Sequence, residues 1–97
     1  VAGDDKLLGA EFFELVGPRI AERREELGFS QEELADFAGL HRTAISPLEL
    51  GKRGTRLVTF FRIAAALHVE PVKLLAGVFL DLDREEFTDR SPSGDAA

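Results

Sequence analysis

The chain has 97 residues, a formal net charge of −6 and 44% hydrophobic residues, and it lacks Cys, Met, Trp and Tyr. That bounds it to one domain with a small core and excludes disulfides and thiolate chemistry. No apolar run approaches the roughly 20 residues of a membrane span, and the acidic start Val1–Asp5 is unlike a signal peptide, so a cytoplasmic protein is expected.

Leu, Ala, Glu and Arg dominate, and no alternating β-branched run precedes residue 78, so the expected fold class is all-α. Residues 5–16 read as a first amphipathic segment with Leu8, Phe12 and Leu15 on one face. Gly17-Pro18 punctuates it, because proline suits the first turn of a helix better than its interior. A second helix then runs from Pro18 to about Leu27, with Ile20, Arg24 and Leu27 on one side and Gly28 as its stop. The next start is the most complete in the chain. Ser30 is an N-cap, Glu33 completes a capping box, and Phe29 and Leu34 flank the cap as a hydrophobic staple. A cap of this kind contributes about 1 kcal/mol.

Leu34, Ala35 and Ala38 face inward until Gly39 ends that helix, and Leu40 plugs the core at the turn. A short helix follows from about Arg42 to Leu50, with Ile45 and Leu48 inward and Gly51 as the stop. Leu57, Phe60, Ile63, Ala64 and Leu67 recur at helical spacing, and Pro71 opens a last short helix to about Gly77. Between Val78 and Asp83 the residues alternate, which permits a short strand or an extended arm. Residues 88–97 have the composition of a disordered tail. The chain thus divides into a helical extension at 1–17, a central unit at 18–77, and an arm with a tail at 78–97.

Charge is spread unevenly over these parts. Residues 1–17 carry net −3 and residues 80–97 net −4, whereas 18–79 carry net +1. Residues 41–56 hold Arg42, Lys52, Arg53 and Arg56 against Glu49 alone. A locally basic segment on and after a short helix suits a phosphate backbone; the acidic ends suit a protein partner. Two distant histidines and no cysteine leave no metal-ligand spacing, and no glycine-rich phosphate loop is present. The neighbouring pairs Glu25–Glu26, Glu32–Glu33 and Glu85–Glu86 point apart on a helix, unlike an acid/base dyad. Neither a metal, a cofactor nor an enzyme activity is expected.

The strings IAERREELGFSQEELADFAGLHRTAISPLELGKR and LVTFFRIAAALHVEPVKLL resemble the Cro-type, lambda-repressor-like helix-turn-helix family over about residues 19–76. The resemblance implies a five-helix DNA-binding domain, here with an extra N-terminal helical segment and a short extended or disordered C-terminal tail. It makes Arg42–Leu50 the recognition helix, lying in the major groove and braced by the helix at 31–39. In that register Gln31 touches a phosphate, Arg42, Thr43, Ser46 and Pro47 face the DNA, and Lys52 and Arg53 lie over its backbone. Ser30, Glu33, Gly39, Ile45, Leu48, Glu49 and Gly51 are structural, with Glu49 paired to an arginine of the first helix such as Arg23 or Arg19.

The residue chemistry agrees. Arginine reads guanine O6 and N7 bidentately, for about 1–3 kcal/mol of discrimination. The chain has no Asn and its one Gln is Gln31, so Arg42 is the favoured base reader, while Thr43 and Ser46 can reach bases or phosphates. Pro47 departs from an ordinary helix interior, where it costs about 3 kcal/mol. Either the helix bends there or its first turn is looser than drawn, and the ring is free to touch a thymine methyl. Leu50 stands where relatives often carry a basic residue. His41 reads as an N-cap or a surface group, and His68 as structural.

The expected function is a bacterial, sequence-specific DNA-binding transcriptional regulator acting as a homodimer on a palindromic operator. Its dimer surface would lie in residues 71–82 or in the N-terminal helix. Phe12, Phe13, Phe60, Phe61 and Phe79 exceed what one small core hides, which leaves some for that surface. A DNA-binding antitoxin or restriction-controller protein is the same chemistry in another genetic setting. A protein-interaction module that has lost DNA binding is the alternative of a different class, supported by the acidic ends and Pro47.

Overall fold

The computed structural model describes residues 10–90. Five helices are followed by a hairpin: α1 (Ala10–Glu26), α2 (Gln31–Ala38), α3 (Ile45–Glu49), α4 (Leu57–Ala66), α5 (Pro71–Leu74), β1 (Val78–Asp81) and β2 (Glu86–Asp89). No helix among the described residues is long and apolar enough to cross a membrane.

α1 runs unbroken through Gly17-Pro18, which corrects the expected break there. Pro18 forfeits the bond to the Glu14 carbonyl, a cost of about 3 kcal/mol. Phe13, Val16 and Ile20 on the same helix are fully buried, and each such side chain returns about 1.5–3 kcal/mol. Packing therefore outweighs the local preference of proline. Gly17 serves a different purpose from the one expected. A Cβ placed on it would lie 2.4 Å from the Leu48 carbonyl oxygen and 2.7 Å from that of Glu49, so glycine lets α1 cross the end of α3 backbone to backbone. Phe12, Phe13 and Val16 accordingly share one core with Leu34, Ile45 and Phe60. The proposed start of the first segment, with Leu8, lies outside the described residues.

α2 follows its sequence signals closely. The Ser30 hydroxyl accepts from the Glu33 backbone N–H at 3.0 Å, and the Glu33 carboxylate accepts from the Ser30 N–H at 2.9 Å. Gly39 closes the helix in the left-handed region (φ 74°), donating to the Asp36 carbonyl, while the Leu40 N–H reaches back to Ala35. Phe29, expected as half of a staple, sets its ring edge-on to Phe37 at 4.9 Å.

The other helices are shorter than expected. α3 begins three residues after Arg42, α4 ends at Ala66, and α5 ends at Leu74, well before Gly77. β1 falls where an extended segment was permitted. β2 was not anticipated, and residues 88 and 89 belong to it instead of to a tail; residues 91–97 lie outside the described residues. The two strands pair antiparallel, with Phe79 opposite Thr88 and Leu80 opposite Phe87. Phe87 packs edge-on against Phe12 at 5.3 Å, and the Arg19 guanidinium meets Asp89 at 3.1 Å. These contacts bind the hairpin to α1.

Candidate nucleic-acid interface

α2, the Gly39 turn and α3 form a helix pair held by one buried carboxylate. Glu49, at the end of α3, accepts from Arg24 Nε at 2.7 Å and Arg24 Nη2 at 3.1 Å. It also accepts from Gln31 Nε2 at 2.8 Å. A third Arg24 nitrogen, Nη1, donates to the Phe29 carbonyl at 2.9 Å. Three elements are thereby tied at one point: α1, the start of α2 and the end of α3. The hydrogen bond that Arg24 donates to Glu49 raises the Arg24 pKa above its ordinary value, and burial opposes this only in part. Arg24 therefore stays cationic across physiological pH.

The partner of Glu49 is thus Arg24, which corrects the expectation of Arg23 or Arg19. Arg24 stands four residues after fully buried Ile20, so both share the inward stripe of α1. Arg23 points instead to the loop after α4, donating to the Leu67 and His68 carbonyls. Arg19 reaches the Leu74 and Ala76 carbonyls. Each arginine staples α1 to a different element.

α3 is shorter than the expected recognition helix. Ile45 and Leu48 are buried, as expected. Arg42 and Thr43 are exposed in the turn before the helix, and Ser46 and Pro47 are half-buried on it. With Ala44 as N-cap, Pro47 is the third helical residue. No intrahelical bond is required of the N–H at that position, so the proline ring fits the first turn without the interior penalty. Of the two alternatives left open by the sequence, the looser first turn is the one observed.

His41 organises that turn. Its carbonyl accepts from the Ala44 N–H at 2.9 Å, and its Nδ1 accepts from the Thr43 N–H at 3.2 Å and lies 2.8 Å from Thr43 Oγ1. The histidine acts like a cap one turn early and engages the Thr43 hydroxyl. Lys52 and Arg53 are exposed in the loop after α3, where the Lys52 N–H closes onto the Pro47 carbonyl at 2.8 Å. Gly51, the expected stop, is in the left-handed region (φ 71°), and a Cβ placed on it would lie 2.9 Å from Glu14 Cα of α1.

Arg42, Thr43, Ser46 and Pro47 therefore form one continuous segment with Lys52 and Arg53 after it, whereas the Gln31 amide is turned inward onto Glu49. Two features escaped sequence reasoning. Arg42 shares an open cleft with Glu32, Glu33 and Asp36 of α2, so the principal cation faces a carboxylate wall. Exposed Arg62 of α4 comes close to Gly39 at the turn. Helical phase alone does not show that α4 passes behind the α2–α3 turn. Of the five phenylalanines weighed for a partner surface, Phe12, Phe13 and Phe60 are buried, and Phe61 and Phe79 are half exposed.

Known proteins resemble this chain in sequence and fold. The profile of the family described as helix-turn-helix matches residues 20–74. An uncharacterized HTH-type transcriptional regulator of Methanothermobacter thermautotrophicus is 44% identical over 59 residues, covering 58% of this chain and 86% of the relative. The restriction-modification controller protein C.AhdI from Aeromonas hydrophila superposes with a TM-score of 0.62 at 39% identity, covering 64% of this chain and 94% of that one. The biofilm master regulator SinR, solved in complex with DNA, gives 0.59 at 31% identity over 62% of this chain and 97% of its own. With a capped helix, a left-handed glycine turn and a short second helix in place, and the family profile matched over more than half of the sequence, this chain belongs to the helix-turn-helix family.

Proposed function

We propose that the protein is a sequence-specific DNA-binding transcriptional regulator that acts as a homodimer in the bacterial cytoplasm. The observation that carries this reading is the exposed run Arg42–Thr43 ahead of α3, followed by Lys52, Arg53 and Arg56, above a framework whose buried acid is already neutralised by Arg24. Lys52, Arg53 and Arg56 make no ion pair within 4 Å among the described residues, and Arg42 faces the α2 carboxylates across an open cleft. Arg42 reads base edges, Thr43, Ser46 and Pro47 line the same groove, and Lys52 and Arg53 take backbone phosphates. Gln31 contributes its backbone N–H at the start of α2 in place of its side chain. The relative solved with DNA supports the assignment. The segment is too short to read a long site, so two copies on half-sites about 34 Å apart suit it.

A titration against fragments selected from the source genome tests this. Log affinity should fall linearly with log salt, by about 0.9 per neutralised phosphate. Lys52→Ala and Arg53→Ala should each reduce that slope by about one and weaken all sequences alike. Fragments that fail to bind even at low salt would refute the reading. The control-protein relatives are compatible with one genetic setting, a restriction-modification controller; its test is a neighbouring restriction gene whose promoter the protein protects from nuclease.

A further inference from the structure

β1 carries an unusual surface for a two-stranded hairpin. Phe79 and Leu80 are each 50% exposed and Leu82 in the following turn is 77% exposed. β2 lies against α1, so β1 is the outer strand, and its other edge has no strand partner among the described residues. Natural edges of this kind are normally guarded by lysine, proline or bulges. β1, Val-Phe-Leu-Asp, has one charge and none of those guards.

The hydrogen-bond pattern determines which groups point outward. The Arg90 N–H bonds the Gly77 carbonyl, so Gly77, Phe79 and Asp81 face β2, and Val78 and Leu80 direct their N–H and C=O away from it. The outward Val78 N–H is taken by the Leu75 carbonyl at 3.0 Å. The N–H and C=O of Leu80 and the C=O of Val78 remain.

We infer that β1 pairs antiparallel with β1 of a second copy, with Leu80 opposite Leu80 on the two-fold axis, to make a four-stranded sheet. In this register Leu80 exchanges both bonds with its counterpart; at the next hydrogen-bonded pair the Val78 carbonyl takes the partner's Leu82 N–H, while the Val78 N–H stays on the Leu75 carbonyl. It lays Leu82 over the partner's Val78 on one face. On the other face it sets Asp81 opposite the partner's Phe79, about 4.8 Å away across the strands. The Arg90 guanidinium already lies over its own Phe79 ring, 4.8 Å from the centroid. Each Asp81 therefore meets a cation of the other copy. One Asp81 oxygen caps the hairpin turn through the Asp83 and Arg84 N–H groups, which leaves the other for this pair. Charge and shape are self-complementary, as an isologous interface requires. The inference rests on the homodimer reading and supplies its surface.

The test is the solution mass of the full chain by sedimentation velocity, free and on operator DNA. Leu80→Arg and Leu80→Glu each place like charges on the axis and should weaken the dimer by about tenfold or more. An equimolar mixture of the two should regain the dimer. Arg90→Gln, which leaves the strand intact, should weaken it by about two- to fivefold and remove its salt sensitivity. A wild-type dimer unchanged by these substitutions, or a mixture that stays monomeric, overturns the strand pairing and leaves homodimerisation standing. A wild-type chain that is monomeric free and singly bound on DNA overturns both.

Discussion

Two side chains of the interface stand at opposite extremes of burial, and their substitutions separate recognition from support. Arg42 is exposed and makes no ion pair shorter than 4 Å among the described residues, so removing it leaves the fold unchanged. Arg42→Ala should lose about 1–3 kcal/mol on the specific site and leave weak non-specific binding nearly intact, as read by fluorescence anisotropy on both kinds of fragment. Equal affinity of wild type and variant for the specific site would remove Arg42 as a base reader. Glu49 is the reverse case. Its side chain is 5% exposed and that of Arg24 12%. Glu49→Ala strands a buried guanidinium and should cost about 3–5 kcal/mol in urea unfolding. Replacing both partners by apolar residues of similar volume should restore most of that, because neither charge is then buried alone. For the pH dependence, the folded-state pKa of Arg24 is raised. Its contribution is fully present below the unfolded guanidinium value and is lost only as pH climbs through the folded one. Melting temperature should therefore show no Arg24-linked decline between neutral and mildly alkaline pH.

Helices α1 and α3 meet at a glycine, and this contact fixes how closely α3 approaches α1. Gly17→Ala forces a methyl group into the Leu48 carbonyl. It should cost at least about 1–3 kcal/mol and weaken operator binding beyond the effect on stability, since α3 must shift. A crystal structure of the variant with α3 unmoved would contradict that coupling. Pro47 gives the complementary prediction. Sitting in the first turn of α3, it forfeits no intrahelical bond, so Pro47→Ala should stay within about 0.5 kcal/mol of wild type in thermal unfolding. A stabilisation of about 3 kcal/mol would show that the proline strains an interior position after all. Removing this objection also removes one of the two supports for a fold that has lost DNA binding.

The molecule as a whole is larger than the family unit at residues 20–74. The first turns of α1 and the hairpin wrap that unit and touch each other through Phe12 and Phe87. Phe87 is only partly buried, so Phe87→Ala should cost about 2 kcal/mol, below the roughly 3–5 kcal/mol of a core phenylalanine. Circular dichroism melts would register this, and a neutral result would make the hairpin an independent appendage. The net charge of −6 is compatible with a DNA-binding face because most of the acid lies at the two ends and the buried carboxylate is paired. The wall of Glu32, Glu33 and Asp36 beside Arg42 nevertheless opposes phosphate at close range.

Much of this architecture could be read from local chemistry. The capping box of α2, the left-handed turn at Gly39, the inward set Leu34, Ile45, Leu48, Phe60 and Ile63, and the basic run after residue 41 all depend on neighbours within one or two turns, where spacing and propensity act directly. Other features depended on distant partners. Gly17-Pro18 reads as a stop until α3 packs across it. Three arginines of one helix, Arg19, Arg23 and Arg24, are equivalent until tertiary packing assigns each its own acceptor. Phe87 looks like a stray apolar residue in an acidic tail until Phe12 is found beside it, and Gln31 looks free until Glu49 claims its amide. Short-range free energies of about 1 kcal/mol set the elements, but burial of several side chains at once outweighs them where the two conflict, and such burial exists only after residues far apart in the chain have met.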